Sequence, residues 1–193
     1  MILILCTPTV AGYGLDLPTE LKMLRVLHAA NAEHRHPLTL VGNYLGGHAV
    51  PEGTDAKTYA KDIVERILPK LIEEKKAGHI SPEFIDVFHE AGIFETEETR
   101  EVLLAGKRAG LDINFHGDEL HHVGSGELAR ELAPRAISHL EKVSDEGIKA
   151  MLERPTFAVL LPTTAFIMRL EPPPARKLIE AGVEHRDRRE MMR

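Results

Sequence analysis

Short apolar runs alternate with longer stretches whose apolar residues recur at helical spacing. Leu3 to Cys6 reads as a buried strand, and Leu21, Leu24 and Leu27 then mark one face of a helix from Pro18 to Asn31. Leu38 to Gly42 is strand-like. Ala60, Ile63, Ile67 and Leu71 give helix spacing between Asp55 and Lys76, with Pro69 expected to bend or interrupt that helix. The alternation continues with a strand at Phe84–Phe88, a helix at Glu97–Ala109 capped by Gly110, and a strand at Leu111–Phe115. A short helix at Gly126–Leu132 and a strand at Ala136–Ser138 follow. Ser144 caps a helix that carries Asp145 and Glu146 in its first turn. Phe157–Leu161 is the last strand, and Ala175–Ala181 is a helix closed by Gly182.

Six βα units in a row, with strands apolar on both faces, predict an α/β protein with a parallel sheet covered by helices. An open doubly wound sheet and a (β/α)8 barrel both satisfy that pattern. Gly12-Tyr13-Gly14 is only a fragment of a dinucleotide-binding glycine pattern.

Composition narrows the classes. Apolar residues make up 43% and charged residues 28% of 193 residues, the balance of a soluble globular protein. A net charge of −6 argues against a nucleic-acid partner, which requires a basic face. Cys6 is the single cysteine, so there is no intrachain disulfide, and a cytoplasmic setting is expected. The longest apolar stretch, Phe157 to Met168, is interrupted by Pro162 and two threonines and is short of a membrane span.

Active sites of parallel α/β folds sit where the strands end. His48, His89, His116 and His139 each follow a strand in this reading, and Tyr13 lies between two glycines after the first. His116 and His139 end consecutive strands, about 4.8 Å apart in a sheet, so the two imidazoles are positioned to share a metal or to divide metal binding and proton transfer between them. Imidazole suits zinc or iron. Glu119, three residues beyond His116, is placed to act as general base and then general acid, and Asp118 to orient a histidine. With 11 histidines, some fall near strand ends by chance; His121 and His122 read as surface residues, and Tyr13 as a simple turn.

Several blocks resemble imidazolonepropionases, in family order and spacing. They are Gly12-Tyr13-Gly14-Leu15-Asp16, Gly47-His48-Ala49-Val50-Pro51, His116-Gly117-Asp118-Glu119, Ile137-Ser138-His139-Leu140 with Ser144-Asp145-Glu146-Gly147, and Leu160-Leu161-Pro162-Thr163-Thr164. The resemblance implies a partial (β/α)8 TIM-type barrel of the amidohydrolase superfamily, its six units matching strands two to seven. Residues 1–183 would form this incomplete barrel and 184–193 a divergent charged tail. It implies hydrolysis of 4-imidazolone-5-propanoate to N-formimidoyl-L-glutamate in histidine degradation, with one zinc or iron ion. His116 would be a metal ligand, Glu119 and His139 would be catalytic, and Tyr13, His48 and Glu119 would contact the substrate. The partners implied are a small-molecule substrate and a second copy in a homodimer, with no nucleic acid and no membrane.

The departures from the family bear on activity. The His-x-His pair of strand one and the aspartate of strand eight are not found. His34-Arg35-His36 precedes the second strand beside Pro37, and Asp187 follows no apolar strand. The chain therefore reads as truncated at both ends, and on its own is expected to hold metal weakly and not to turn over. A non-catalytic remnant of the family and another cyclic amidohydrolase are the alternatives.

Overall fold

A computed structural model describes residues 14–33 and 40–183. The predicted first strand at Leu3–Cys6, Tyr13, the His34–His36 pair and Asp187 lie outside the described residues. Within them, α1 (Leu17–Ala32) leads to β1 (Gly42–Gly47). Next come α2 (Ala56–Asp62), a π-helical turn (Ile63–Ile67) and α3 (Leu68–Lys76), followed by β2 (Pro82–His89) and α4 (Thr96–Arg108). The remainder is β3 (Asp112–Gly117), α5 (Ala129–Leu132), β4 (Ala136–His139), α6 (Asp145–Glu153), β5 (Phe157–Val159), α7 (Pro162–Met168) and α8 (Ala175–Ala181).

Local chemistry sets most boundaries. Asp16, Asp55 and Ser144 cap α1, α2 and α6, each side chain accepting a backbone N–H three residues on. Gly110 follows α4 at φ 83°, a left-handed position that suits glycine. Pro69 leaves its mark one turn upstream. Its ring offers no N–H and crowds the carbonyl four residues back, and the helix widens there, with the Leu68 N–H reaching back to the Ile63 carbonyl.

Two elements differ from the expectation. The second strand lies at Gly42–Gly47, beyond the apolar run Leu38–Gly42. Its glycines weaken the strand signal but permit close packing, since a Cβ on Gly47 would lie 2.9 Å from Val87 Cγ2. Pro162 begins the helix α7, which was not predicted; a proline suits the first helical turn, where its missing N–H has no partner to lose.

All four strand pairings are parallel, and the order is β1-β2-β3-β4-β5. Ile85, Val87, Ile113, Phe115 and Ile137 point to one face and form the core with Ile63, Ile67, Leu71, Val102, Leu103, Leu132 and Ile148. The helices make a belt over that face, with α2 packed on α4, α4 on α5, α5 on α6 and α6 on α8. The alternate positions of the central strands, Asp86, Asn114 and His116, lie on the opposite face.

The α4–β2 contact is tight enough to test. A Cβ on Gly106 would sit 2.6 Å from both Cδ1 and Cγ2 of Ile85, a β-branched side chain held in a strand. Overpacking of this kind costs about 1–3 kcal/mol, against about 1 kcal/mol gained from glycine to alanine in a helix. Gly106→Ala is expected to lower stability in urea unfolding. A stabilised variant would mean that Ile85 gives way freely.

Candidate active site

The polar face of the sheet centres on Asp86, a lone acid in the apolar strand Phe84–Phe88, 2% exposed. Its Oδ1 lies 2.8 Å from His116 Nδ1, and its Oδ2 accepts from Asn43 Nδ2 at 2.9 Å. His48, just beyond β1, brings Nε2 to 3.0 Å from His116 Nδ1 and 3.6 Å from Asp86 Oδ1. Burial lowers the His48 pKa to about 4, outweighing the pull of the Asp86 carboxylate. Burial also opposes charge on His116, but there the Asp86 carboxylate prevails and the pKa is raised. Asp86 is shifted down: burial works against its charge, and the two imidazoles more than offset that.

A second cluster hangs over the ends of β3 and β4. Two buried carboxylates shape the loop that carries Glu119. Asp118 accepts the backbone N–H groups of Val123, Gly124 and Gly126, and Glu90 accepts those of Leu120 and His121 together with His121 Nδ1. Asp118 therefore builds the loop. Its ion-pair contact with an imidazole is to the exposed His122, at 3.5 Å, so the expectation that it orients a histidine of the site gives way to this backbone role. Glu119 Oε2 lies 3.4 Å from His139 Nε2, and the His139 and His116 ring centres are 5.4 Å apart. Burial raises the Glu119 pKa; His139 draws it down and Glu141 adds to the rise.

His139 shares register with Gly117, a position of the helix-facing parity. Left-handed backbone at His139 (φ 80°) and Leu140 (φ 64°) breaks that parity, so the imidazole meets Glu119 instead. Such conformations cost a non-glycine residue roughly 1–3 kcal/mol each. They are held by Leu140 N–H to the Gly117 carbonyl at 3.2 Å and Lys142 N–H to the Asp118 carbonyl at 2.7 Å.

The structure thus gathers His48, His116, Glu119 and His139 at one end of the sheet. Tyr13 falls outside the described residues, but its neighbour Gly14 donates its N–H to the buried Glu20 at 3.1 Å. Asp86 and Glu141 escaped the sequence reading. A single acid within a strand apolar on both faces was the available signal for Asp86.

No protein-family model matches the chain. Curated proteins do. A probable imidazolonepropionase of Dictyostelium discoideum is 57% identical over 173 residues, 90% of this chain and 40% of the relative. Those of Nematostella vectensis and Homo sapiens are 53% and 51% identical over the same length and shares. Over this stretch the chain is similar to imidazolonepropionases.

The chain spans about 40% of the length of the imidazolonepropionases it matches. A guanine deaminase from C. acetobutylicum shares the fold at a TM-score of 0.63 and 16% identity, over 88% of this chain and 43% of that one. Among the described residues, no helix is long and apolar enough to cross a membrane.

The donors present suit the metal that imidazolonepropionase kinship implies. His48, Asp86 and His116 each offer a ligand atom, all within 4.8 Å of one another. Two imidazoles and a carboxylate suit zinc or iron. The spacings of 2.8, 3.0 and 3.6 Å bracket the roughly 3.3 Å edge of a tetrahedron with bonds near 2.05 Å.

His89 lies outside this donor set and gives a separate pH signature. It is fully buried at the end of β2, with Nδ1 2.8 Å from Ser125 Oγ and Nε2 3.2 Å from Thr96 Oγ1. Burial lowers its pKa, against the pull of Asp118, Glu90 and Glu95. A histidine held neutral in the fold contributes stability above its unfolded pKa of about 6.5, and that contribution is lost as pH falls towards the depressed folded value. The stability difference between the native chain and His89→Gln is therefore expected to shrink as pH is lowered from about 7 to about 5. A difference that grows in acid would contradict this assignment.

Proposed function

We propose that the five strands are consecutive strands of a (β/α)8 barrel and that residues 1–183 form part of such a barrel, with 184–193 as a tail. In this reading the site hydrolyses 4-imidazolone-5-propanoate to N-formimidoyl-L-glutamate. The unidirectional strand order supports the barrel. Right-handed crossovers that never reverse direction put every helix on one face, leaving the polar face to be covered by curling of the sheet itself. The observation that carries the chemistry is the Glu119–His139 pair at the strand ends, beside His116.

A zinc or iron ion held by His116, with Asp86 as a further donor, would polarise the ring carbonyl. Glu119 takes a proton from water as the water oxygen bonds to the ring carbonyl carbon. The ring C–N bond then breaks, and that proton passes to the departing nitrogen through Glu119 or His139. The raised pKa of Glu119 suits a group that must accept and return a proton near neutrality. Tyr13 and His48 contact the substrate.

The test is a chimera in which this chain's matched stretch replaces its counterpart in the Dictyostelium relative. It is expected to open the ring, followed by loss of substrate absorbance, with zinc and iron measured by elemental analysis. Tyr13→Phe and His48→Ala are expected to raise KM at unchanged metal content. A folded, metal-loaded chimera without turnover would reject the function. Loss of metal in His48→Ala would move that residue from substrate contact to metal ligation.

A further inference from the structure

One buried acid remains unused by this chemistry. The Glu141 side chain is wholly enclosed, and among the described residues neither of its oxygens has a hydrogen-bond partner. His139 Nδ1 is likewise buried without one. The two face each other, with Glu141 Oε2 at 3.6 Å from His139 Nδ1. The opposite ring nitrogen, Nε2, faces Glu119 Oε2 at 3.4 Å. One imidazole therefore stands between two carboxylates.

A buried carboxylate without hydrogen bonds is strongly disfavoured unless a donor or positive charge meets it. The Nδ1–H of His139 is the donor within reach. The separation is slightly longer than a closed hydrogen bond, as catalytic contacts often are before substrate binds. The backbone keeps the partners in place: His139 and Glu141 flank Leu140, whose N–H is tied to Gly117, and Lys142 is tied to Asp118.

We propose that Glu141 is a positioning residue for His139. Its carboxylate accepts the Nδ1–H, fixes the neutral ring in that tautomer, and leaves Nε2 as the acceptor facing Glu119. A proton leaving Glu119 Oε2 then arrives on His139 Nε2, and the resulting imidazolium is balanced by Glu141. Return of the proton reverses the same step. This deepens the reading of Glu119 and His139 as the proton-handling pair and rests on it, but its primary test does not require turnover.

The 193-residue chain, labelled with ¹⁵N-histidine, is examined by long-range ¹H–¹⁵N correlation at alkaline pH. The native chain is expected to show His139 protonated on Nδ1, the minor tautomer of free histidine. Glu141→Leu is expected to shift the ring towards Nε2–H, and Glu141→Gln, whose amide oxygen still accepts, to retain Nδ1–H in large part. In the chimera, Glu141→Leu should lower kcat about 10–100-fold with little change in KM, and Glu141→Gln should recover part of the loss.

A native His139 carrying its proton on Nε2 overturns the proposal, as does an unchanged Nδ1–H tautomer in Glu141→Leu. If Glu141→Leu does not fold, the native tautomer and Glu141→Gln decide. Absence of ring opening in the chimera would count against the proposed function and leave the tautomer result to decide the role of Glu141.

Discussion

Glu119→Gln, introduced into the chimera, is expected to lower kcat by roughly 10²–10⁴-fold, the range that general acid–base catalysis contributes. Glutamine keeps the volume and can still hydrogen-bond, but it cannot take a proton at neutral pH. The loop should survive the change, because its shape comes from Asp118 and Glu90 gripping backbone N–H groups on either side of Glu119. Metal content should also be unaffected, since Glu119 lies outside the His48–Asp86–His116 group. The measurements are kcat, KM and elemental analysis on the same preparation. Near-normal turnover with metal retained would remove Glu119 from the chemistry.

Asp86→Ala is expected to have the largest effect on stability. The carboxylate is buried and pairs with His116 while accepting from Asn43. Removing one partner from a buried, charged contact costs about 3–5 kcal/mol, a large share of the roughly 5–15 kcal/mol of a typical domain. Asp86→Asn keeps an acceptor for one of these contacts and should lose less, roughly 1–2 kcal/mol. The pH dependence follows from the depressed pKa of Asp86. A carboxylate of lowered folded pKa contributes stability above its unfolded value of about 3.9, and the contribution is lost as pH falls through the folded value. The gap between native and Asp86→Ala chains in urea unfolding should therefore be full at neutral pH and close only in strong acid. An alanine variant as stable as the native chain at pH 7 would show that the Asp86–His116 contact contributes nothing.

The sequence made the strands and helices that lie against the core legible, because their apolar positions repeat at the period of the element. The strands from Phe84, Leu111, Ala136 and Phe157 lie within a few residues of β2 to β5. β1 was displaced because Asn43, Gly46 and Gly47 carry function and close packing in place of apolar side chains. The same logic divides the site. His116, His139 and Glu119 could be found because strand ends are where chemistry collects. Glu141 could not, since it acts through a left-handed turn that no residue type announces, and the grip of Glu90 on Leu120 and His121 spans a segment distant in sequence. Asp118 was noticed for its neighbours, and its work on the backbone of its own loop becomes visible only in three dimensions.

The unidirectional order of the sheet also bears on how the chain comes to be folded. Among the described residues every pairing joins strands consecutive in the chain, so none of these pairings waits for a distant part of the polypeptide. Emerging from a ribosome at about 5–20 residues per second, each new strand meets a partner already synthesised, and closing the modest intervening loop carries a small entropic penalty. These strands can therefore be added one at a time in chain order, the edge of the newest strand staying open until the next strand pairs with it.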